Sequence, residues 1–589
     1  MTKNMSSRCQ CVFIRKIIAA FLFIISFAAA IISGQQNVNA SFAPAGGEDA
    51  KKADAFLSQW ENNDMPGCSV GAVKDGNLVY KRAFGLANLD YDVPNTTSTL
   101  FNLASVSKPF TAMSIALLAE QGKLSLDDEI QKHVPEIPKY DHPVTIRHLI
   151  HHSSGIREYQ ALVLFGGLGM DNVYSDKTIL EMLGRQKNIS FVPGSKYQYS
   201  NSNYHLLGII VGRVSGKSLR EFAQENIFKP LGMKNTLFFD NRFEVVKNRA
   251  SGYMVGPGTN IRVRSSLFDL VGGGGVLTTI EDLYLWTQNY YEPKVGNKET
   301  IRMMTTPGTL NGSEKMTYAF GVWRQEYKGL PTIEHSGNMA GFRAKIFAFP
   351  EQKFTAIALC NNTAILPSVI VAKLADIYLE GQLKPVAPGP TSAAQSALPP
   401  TTAISPKDAE VYAGIYAHRE SGKMLKLSVK DGKLVESAIF NKEVPVSAAA
   451  ENRLIVAEGN GMAELMPIIG KSGAVVEIRI MTKSGKPDVF VPAKPPLDSP
   501  HQLSEYAGNY YGEELDADHK ISLNGDKLSL QISESLILQL TPAYADVFTA
   551  AGGQINLLFK RDDKGKITGS IFNSGADGRD VKGVDFRRL

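Results

Sequence analysis

The chain has 589 residues, 43% hydrophobic and 21% charged, which is ordinary globular material for roughly two to four domains. Its formal charge of +5 falls to +1 once the first 40 residues are set aside, so the basic balance gives no reason to expect a nucleic-acid partner. Of its four cysteines, Cys68 and Cys360 lie in strand-like runs, and neither has a nearby histidine pattern that would suggest a thiol nucleophile or a metal site.

The first 40 residues hold Lys3, Arg8, Arg15 and Lys16 and no acid, then an apolar run from Ile17 to Ile32, then Val38-Asn39-Ala40. This is the pattern of a secretory signal, with cleavage expected after Ala40 and a periplasmic or secreted product. The rival reading is an uncleaved membrane anchor, the one way in which the membrane would become a partner. Cys9 and Cys11 precede the apolar run and make no lipoprotein site. Cys68 and Cys360 read as two buried free thiols, with a disulfide as the alternative in an oxidising compartment.

A polar helix is expected from about Glu48 to Asn62, then two strands joined at Asp75-Gly76, a strong hairpin signal. Next comes Ser105-Val106-Ser107-Lys108-Pro109. Three residues apart on a helix, Ser105 and Lys108 share one face, where an amine can activate a hydroxyl. From Pro109 to Ala119 no residue is charged, which suits a helix buried on all sides. Pro109 belongs near a helix start and places the first turn at about Ser105, whose backbone N–H is then free to bind a developing oxyanion.

Short helices are expected at residues 126–129 and 144–149, then a structural turn at His151-His152-Ser153-Ser154-Gly155, since adjacent histidines lack metal-ligand spacing. Pro193-Gly194 precedes Tyr199-Ser200-Asn201, and a tyrosine beside a lysine can serve as a base. Pro230-Leu231-Gly232-Met233 forms a further turn. Gly272 to Gly275 lack the lysine and preceding strand of a phosphate loop and read as backbone approaching a cleft.

His335-Ser336-Gly337 follows on a strand. Gly337 lets substrate backbone pair along the strand edge, and the next N–H, that of Asn338, can complete an oxyanion pair with Ser105. Strands from Ile333 to Phe349 and from Phe354 to Leu359, and a helix from about Leu366 to Leu379, complete an α+β domain over residues 41–382, an antiparallel sheet covered by helices.

Residues 383–405 are rich in Pro, Ala, Ser and Thr and read as a linker. Beyond it the chain repeats itself. Tyr412-Ala413-Gly414-Ile415-Tyr416 returns as Tyr506-Ala507-Gly508-Asn509-Tyr510, and Lys426-Leu427-Ser428-Val429 as Lys520-Ile521-Ser522-Leu523, both at an offset of 94 residues. Two copies of one small antiparallel β-barrel, lipocalin-like, are expected at 406–495 and 500–589.

Taken together, Ser105-xx-Lys108, Tyr199-Ser200-Asn201, His335-Ser336-Gly337, the 151–155 turn and the 230–233 turn resemble the serine β-lactamase and penicillin-binding superfamily, in its class C-like branch. The resemblance covers about residues 48 to 380. It implies that Ser105 is acylated by an amide or ester carbonyl, that Lys108 and Tyr199 form the acid/base pair, and that Asn201 orients Lys108 or the substrate. No metal or cofactor is called for, and the partner is a small peptide, amide or ester.

One departure matters, because β-lactamases place a cationic lysine where this chain has His335, and an unperturbed histidine is mostly neutral. The His-x-Gly variant resembles the esterase and D-aminopeptidase members. The D-aminopeptidase type also carries two barrels after its catalytic domain. A secreted serine hydrolase acting on small peptides, amides or esters is therefore expected, with a D-stereospecific aminopeptidase as one form of it. The alternatives are a β-lactamase or D,D-carboxypeptidase and a non-catalytic binding or scaffold protein. In the D-aminopeptidase type a loop of the final barrel reaches the active-site mouth, and Ala543 to Gln554 is the matching candidate here. Against it stands the reading of both barrels as independent binding or spacer modules on a flexible linker.

Overall fold

The structure is a computed structural model that describes residues 47–589 apart from 62–63, 170–171, 258–259, 265–268, 385–401, 419–422, 438–441, 451–452, 459–460, 482–486, 497–498 and 576–580. The expected signal segment and most of the expected linker lie outside the described residues. The chain falls into two compact units, residues 1–56 and 57–589. Of the first unit's described residues, 48–56 belong to helix α1 (Glu48–Leu57).

The second unit begins with β1 (Cys68–Lys74) and β2 (Asn77–Phe84), joined where Asp75 and Gly76 take positive φ of 49° and 77°. The buried helix α2 (Lys108–Glu120) follows, then α3 (Asn201–Ser215). β3 (Trp323–Tyr327), β4 (Leu330–Met339), β5 (Phe342–Phe349) and β6 (Phe354–Cys360) come next, then helix α4 (Pro367–Tyr378). The six strands form one antiparallel sheet in the order β3-β4-β5-β6-β1-β2. Gly71 of β1 faces Ile280 of the helix Ile280–Gln288, whereas Lys74 Nζ donates to Tyr378 O of α4 at 3.1 Å. Three positions apart on a strand, those residues point to opposite faces, so helices cover the sheet on both sides.

Three expectations are corrected. Cys68 and Cys360 are bonded, not free thiols, because β1 pairs with β6 in a register that sets the two residues directly opposite. Residues 126–129 form a turn rather than a helix, and helical backbone starts only at Ile130. The α-helix carrying Lys108 starts three residues later than expected, after a 3-10 turn (Ala104–Ser107) that holds Ser105.

Each repeat closes into an eight-stranded barrel, one running from Gly414 to Pro492 and the other from Gly508 to Arg588. The copies keep a shared detail at the 94-residue offset. Tyr416 Oη donates to Tyr412 O at 2.8 Å, and Tyr510 Oη donates to Tyr506 O at 2.7 Å. The first barrel has its own apolar core around Leu425, Val456 and Leu465. The second shares one continuous core with the catalytic part, with the Phe165 and Phe572 rings 4.3 Å apart and His519 Nε2 2.7 Å from Phe165 O. It is not a spacer.

Candidate active site

The 3-10 turn Ala104–Ser107 leaves Ser105 half-buried at the start of a helical segment, where backbone N–H groups lack intrahelical partners. Lys108, at the first position of α2, is fully buried. Its Nζ reaches Ser105 Oγ at 3.2 Å, Asn201 Oδ1 at 2.9 Å and Gly273 O at 2.6 Å. Three oxygens thus hold the amine beside the hydroxyl. Gly273 can come so near because the glycine run lies against α3, where a Cβ on Gly272 would stand 2.4 Å from Tyr204 O. Gly272 also has a φ of 104°, which a side chain would strain.

Tyr199 lies with its ring centroid 4.7 Å from Lys108 Nζ and 4.3 Å from the His152 ring. The 151–155 turn is what supports it: His152 O accepts from Gln198 N at 2.8 Å, and His152 Nδ1 accepts from Ser200 N at 3.2 Å. The double histidine is therefore a buried structural turn beneath the tyrosine. Among the described residues, no three of His, Cys, Asp and Glu gather closely enough to hold a metal ion.

β4 closes the site from the other side. β3 pairs with it only as far as the Trp323–Glu334 pair, so β3 does not cover the edge from His335 to Met339. At Gly337 the strand meets the nucleophile turn, and a Cβ there would lie 2.1 Å from Leu103 O and 3.1 Å from Ser105 N. That contact sets Asn338 and Ser105 near one another, where two backbone N–H groups can receive the charge of a carbonyl oxygen.

His335 is buried and points inward. Its Nδ1 is 2.7 Å from Ser336 O and its Nε2 3.1 Å from Tyr318 Oη. Because a carbonyl only accepts, Nδ1 carries the proton and Nε2 accepts from the tyrosine. Burial, and then the charge of Lys108, lower the imidazole pKa to about 3. His335 is thus neutral at physiological pH.

All the expected residues, Ser105, Lys108, Tyr199, Asn201, His335, Gly337 and Asn338, converge on one site. The sequence reading missed three others. Tyr318 fixes the His335 tautomer, and a buried tyrosine just before β3 was the only signal. Glu158, also buried, accepts from Asn201 N–H and from Asn201 Nδ2 at 3.3 Å, and Gln160 Oε1 lies 3.4 Å from the same Nδ2. A cavity of about 280 Å³ opens beside Asn201, Gly273, Gly274 and Met339 and extends to Arg242 and Arg249. The Ala543–Gln554 segment is a different matter: Gly552 and Gly553 have nothing within 4 Å of an added Cβ, and Asp546 bonds within its own barrel to Tyr506 and Arg561.

A sheet flanked by helices, with a serine and lysine one turn apart and a tyrosine over the amine, defines a serine hydrolase of the acyl-transfer kind. The Beta-lactamase family model matches residues 53–377, and the chain belongs to that family. Penicillin-binding protein 4* of Bacillus subtilis (strain 168) is 30% identical over 309 residues, which cover 50% of this chain and 68% of that protein. The D-aminopeptidase of Brucella anthropi is 25% identical over 570 residues, 92% of this chain and 99% of that protein. Among solved structures, the octameric penicillin-binding protein homologue from Pyrococcus abyssi has the same fold, with a TM-score of 0.52 and 24% identity over 75% of this chain and 100% of that one.

Proposed function

We propose that the chain is a secreted hydrolase that opens the amide bond of short peptides or amino-acid amides carrying a D-residue on the acyl side, through an acyl-enzyme on Ser105. The observation that carries the chemistry is Lys108 Nζ, 3.2 Å from Ser105 Oγ and 2.9 Å from Asn201 Oδ1. Ser105 Oγ attacks the carbonyl carbon while its proton passes to the oxygen of Tyr199, whose deprotonated form the Lys108 ammonium, 4.7 Å from its ring, stabilises. The carbonyl oxygen takes up negative charge toward the N–H groups of Ser105 and Asn338. Tyr199 returns the proton to the leaving amine, and water then attacks the ester and frees the acid.

The choice of substrate is supported by the likeness to the Brucella anthropi D-aminopeptidase, which extends through both barrels rather than the catalytic part alone. The cavity of about 280 Å³ suits a single small acyl residue. Secretion is supported by the leader-like sequence of the first 40 residues and by the Cys68–Cys360 disulfide, a bond typical of oxidising compartments.

The likeness to penicillin-binding protein 4* favours a second reading, D,D-carboxypeptidase or β-lactamase. Against it stands His335, which offers no positive charge to a substrate carboxylate at neutral pH. One panel separates the two: D- and L-aminoacyl anilides and amides, p-nitrophenyl esters and a chromogenic cephalosporin, each with Ser105→Ala as control. Turnover confined to D-aminoacyl amides and esters supports the proposal. Cephalosporin turnover without D-aminoacyl turnover overturns it.

A further inference from the structure

Arg157, Glu158 and Tyr159 are gripped from two directions. Toward α3, Ser202 Oγ donates to Arg157 O at 2.7 Å and accepts from Tyr159 N–H at 2.7 Å. Glu158 accepts from the Asn201 backbone N–H and from Asn201 Nδ2 at 3.3 Å. The side chain of Arg157, 1% exposed, runs the other way, into the second barrel. Its Nε donates to Lys582 O at 3.0 Å, Nη2 to Gly583 O at 2.9 Å, and Nη1 to Glu514 Oε1 at 2.8 Å and Gln186 Oε1 at 2.7 Å. Glu514 is itself 4% exposed and accepts from Lys187 N–H at 2.7 Å.

The orientation of the Asn201 amide links these contacts to the reacting groups. An ammonium only donates and a carboxylate only accepts, so Asn201 serves Lys108 and Glu158 together only with Oδ1 toward the lysine and Nδ2 toward the glutamate. Turned over, the amide would set N–H groups against the ammonium and an oxygen against the carboxylate. Glu158, which also takes the Asn201 backbone N–H, therefore works with Gln160 Oε1, 3.4 Å from the same Nδ2, to set which atom Lys108 meets, and Glu158 is one peptide away from the residue that the barrel holds.

We propose that the second barrel takes part in catalysis by this route: Glu514, through Arg157, positions Glu158 and so fixes the face that Asn201 presents to Lys108. The inference rests on the reading of Ser105 and Lys108 as the reacting pair. Glu514, Arg157 and Glu158 are positioning residues. Deprived of Glu514, the buried guanidinium loses its counter-charge and is drawn toward water, and deprived of the guanidinium itself, residues 157–159 lose its bonds to Glu514, Gln186 and the carbonyls of Lys582 and Gly583; in either case their backbone is no longer held in place. The pull reaches Lys108 through Asn201 without any barrel residue touching substrate.

The test uses the full-length chain and the p-nitrophenyl ester of D-alanine, with kcat, KM and thermal unfolding recorded for each variant. Glu514→Ala removes the carboxylate. Pairing Arg157→Met with Glu514→Leu removes both charges and fills the space with apolar groups, so that no unpaired charge is left between the two parts. Glu158→Gln weakens the hold on Asn201 directly. Each is expected to lower kcat roughly 10- to 100-fold with KM within about threefold, and adding Glu158→Gln to the paired replacement should cost nothing beyond the worse of the two.

The proposal is overturned if the paired replacement folds and keeps kcat within about twofold of the parent, or if its loss and that of Glu158→Gln multiply. Should the paired replacement not fold, Glu514→Asp, which retracts the carboxylate by one methylene, is read by the same criteria. Undiminished turnover by Ser105→Ala would instead remove the mechanism beneath the proposal, a result that none of the positioning variants can imitate.

Discussion

The Tyr318 hydroxyl donates to His335 Nε2 at 3.1 Å, and with Nδ1 engaged by Ser336 O at 2.7 Å both imidazole nitrogens are satisfied in the neutral form. Adding a proton would reverse the direction of the Tyr318 bond and place a second positive charge near Lys108 inside the protein. A neutral His335 leaves backbone N–H and C=O groups, rather than a fixed charge, as what β4 offers at this edge.

Acid should destabilise the protein through this group. His335 is held to about 3, and His151 and His519 to about 4, all by burial in the first place. Unfolded, each would titrate near 6.5, so between that value and its folded pKa the unfolded chain binds a proton that the native chain does not. The stabilisation is complete above about pH 6.5 and is lost as pH falls, by ~1.4 kcal/mol per pH unit for each group. Denaturant midpoints should therefore drop from pH 7 to pH 4.5, and His335→Gln should show a shallower slope. Equal slopes would contradict a buried neutral imidazole.

Lys108→Ala and Tyr199→Phe should each slow acylation by about two orders of magnitude or more, and the double variant should be little slower than the slower single one. The two groups face one another at 4.7 Å and share one proton path. Stopped-flow release of p-nitrophenol reads this, and fully multiplicative losses would point to separate roles.

Gly337→Ala should lower kcat by about 10²-fold, because the added methyl would stand 2.1 Å from Leu103 O and push β4 away from Ser105. Gly312→Ala, where nothing lies within 4 Å of the added carbon, should match the parent. A steady-state comparison checks both, and normal activity of Gly337→Ala would separate β4 from the oxyanion site.

The parts legible in the sequence were those that chemistry ties to short spacing. Ser105 and Lys108 sit one helical turn apart, Tyr199 and Asn201 flank a helix start, and His335 to Asn338 are consecutive on one strand. The barrels were legible as a repeat, through matched tyrosines that turned out to make the same hydrogen bond. What escaped depends on distant partners. Glu158 meets Asn201 across 43 residues and Arg157 meets Glu514 across 357, and in the sequence such residues read like any solvated charge pair. The disulfide was misjudged for the same reason: two strands were recognised, but the register that opposes Cys68 to Cys360 is fixed by the sheet as a whole.

Ending the chain at Lys494 should not yield a free catalytic domain with altered substrate size preference. It would strip Phe165 of its contact with Phe572, and Arg157 of Glu514, Lys582 and Gly583. The expected outcome is insoluble protein or a thermal midpoint lowered by more than about 5 °C. A truncated chain as stable and as active as the parent would restore the spacer reading.

Ser105 is the group on which the proposed acyl intermediate forms. The most direct measurement is intact mass after treatment with a fluorophosphonate, followed by peptide mapping. The expected result is a single adduct, on the peptide containing Ser105, formed at least about 100-fold more slowly in Lys108→Ala and absent in a folded Ser105→Ala. An adduct on any other residue, or labelling of Ser105→Ala at the parent's rate, would contradict it.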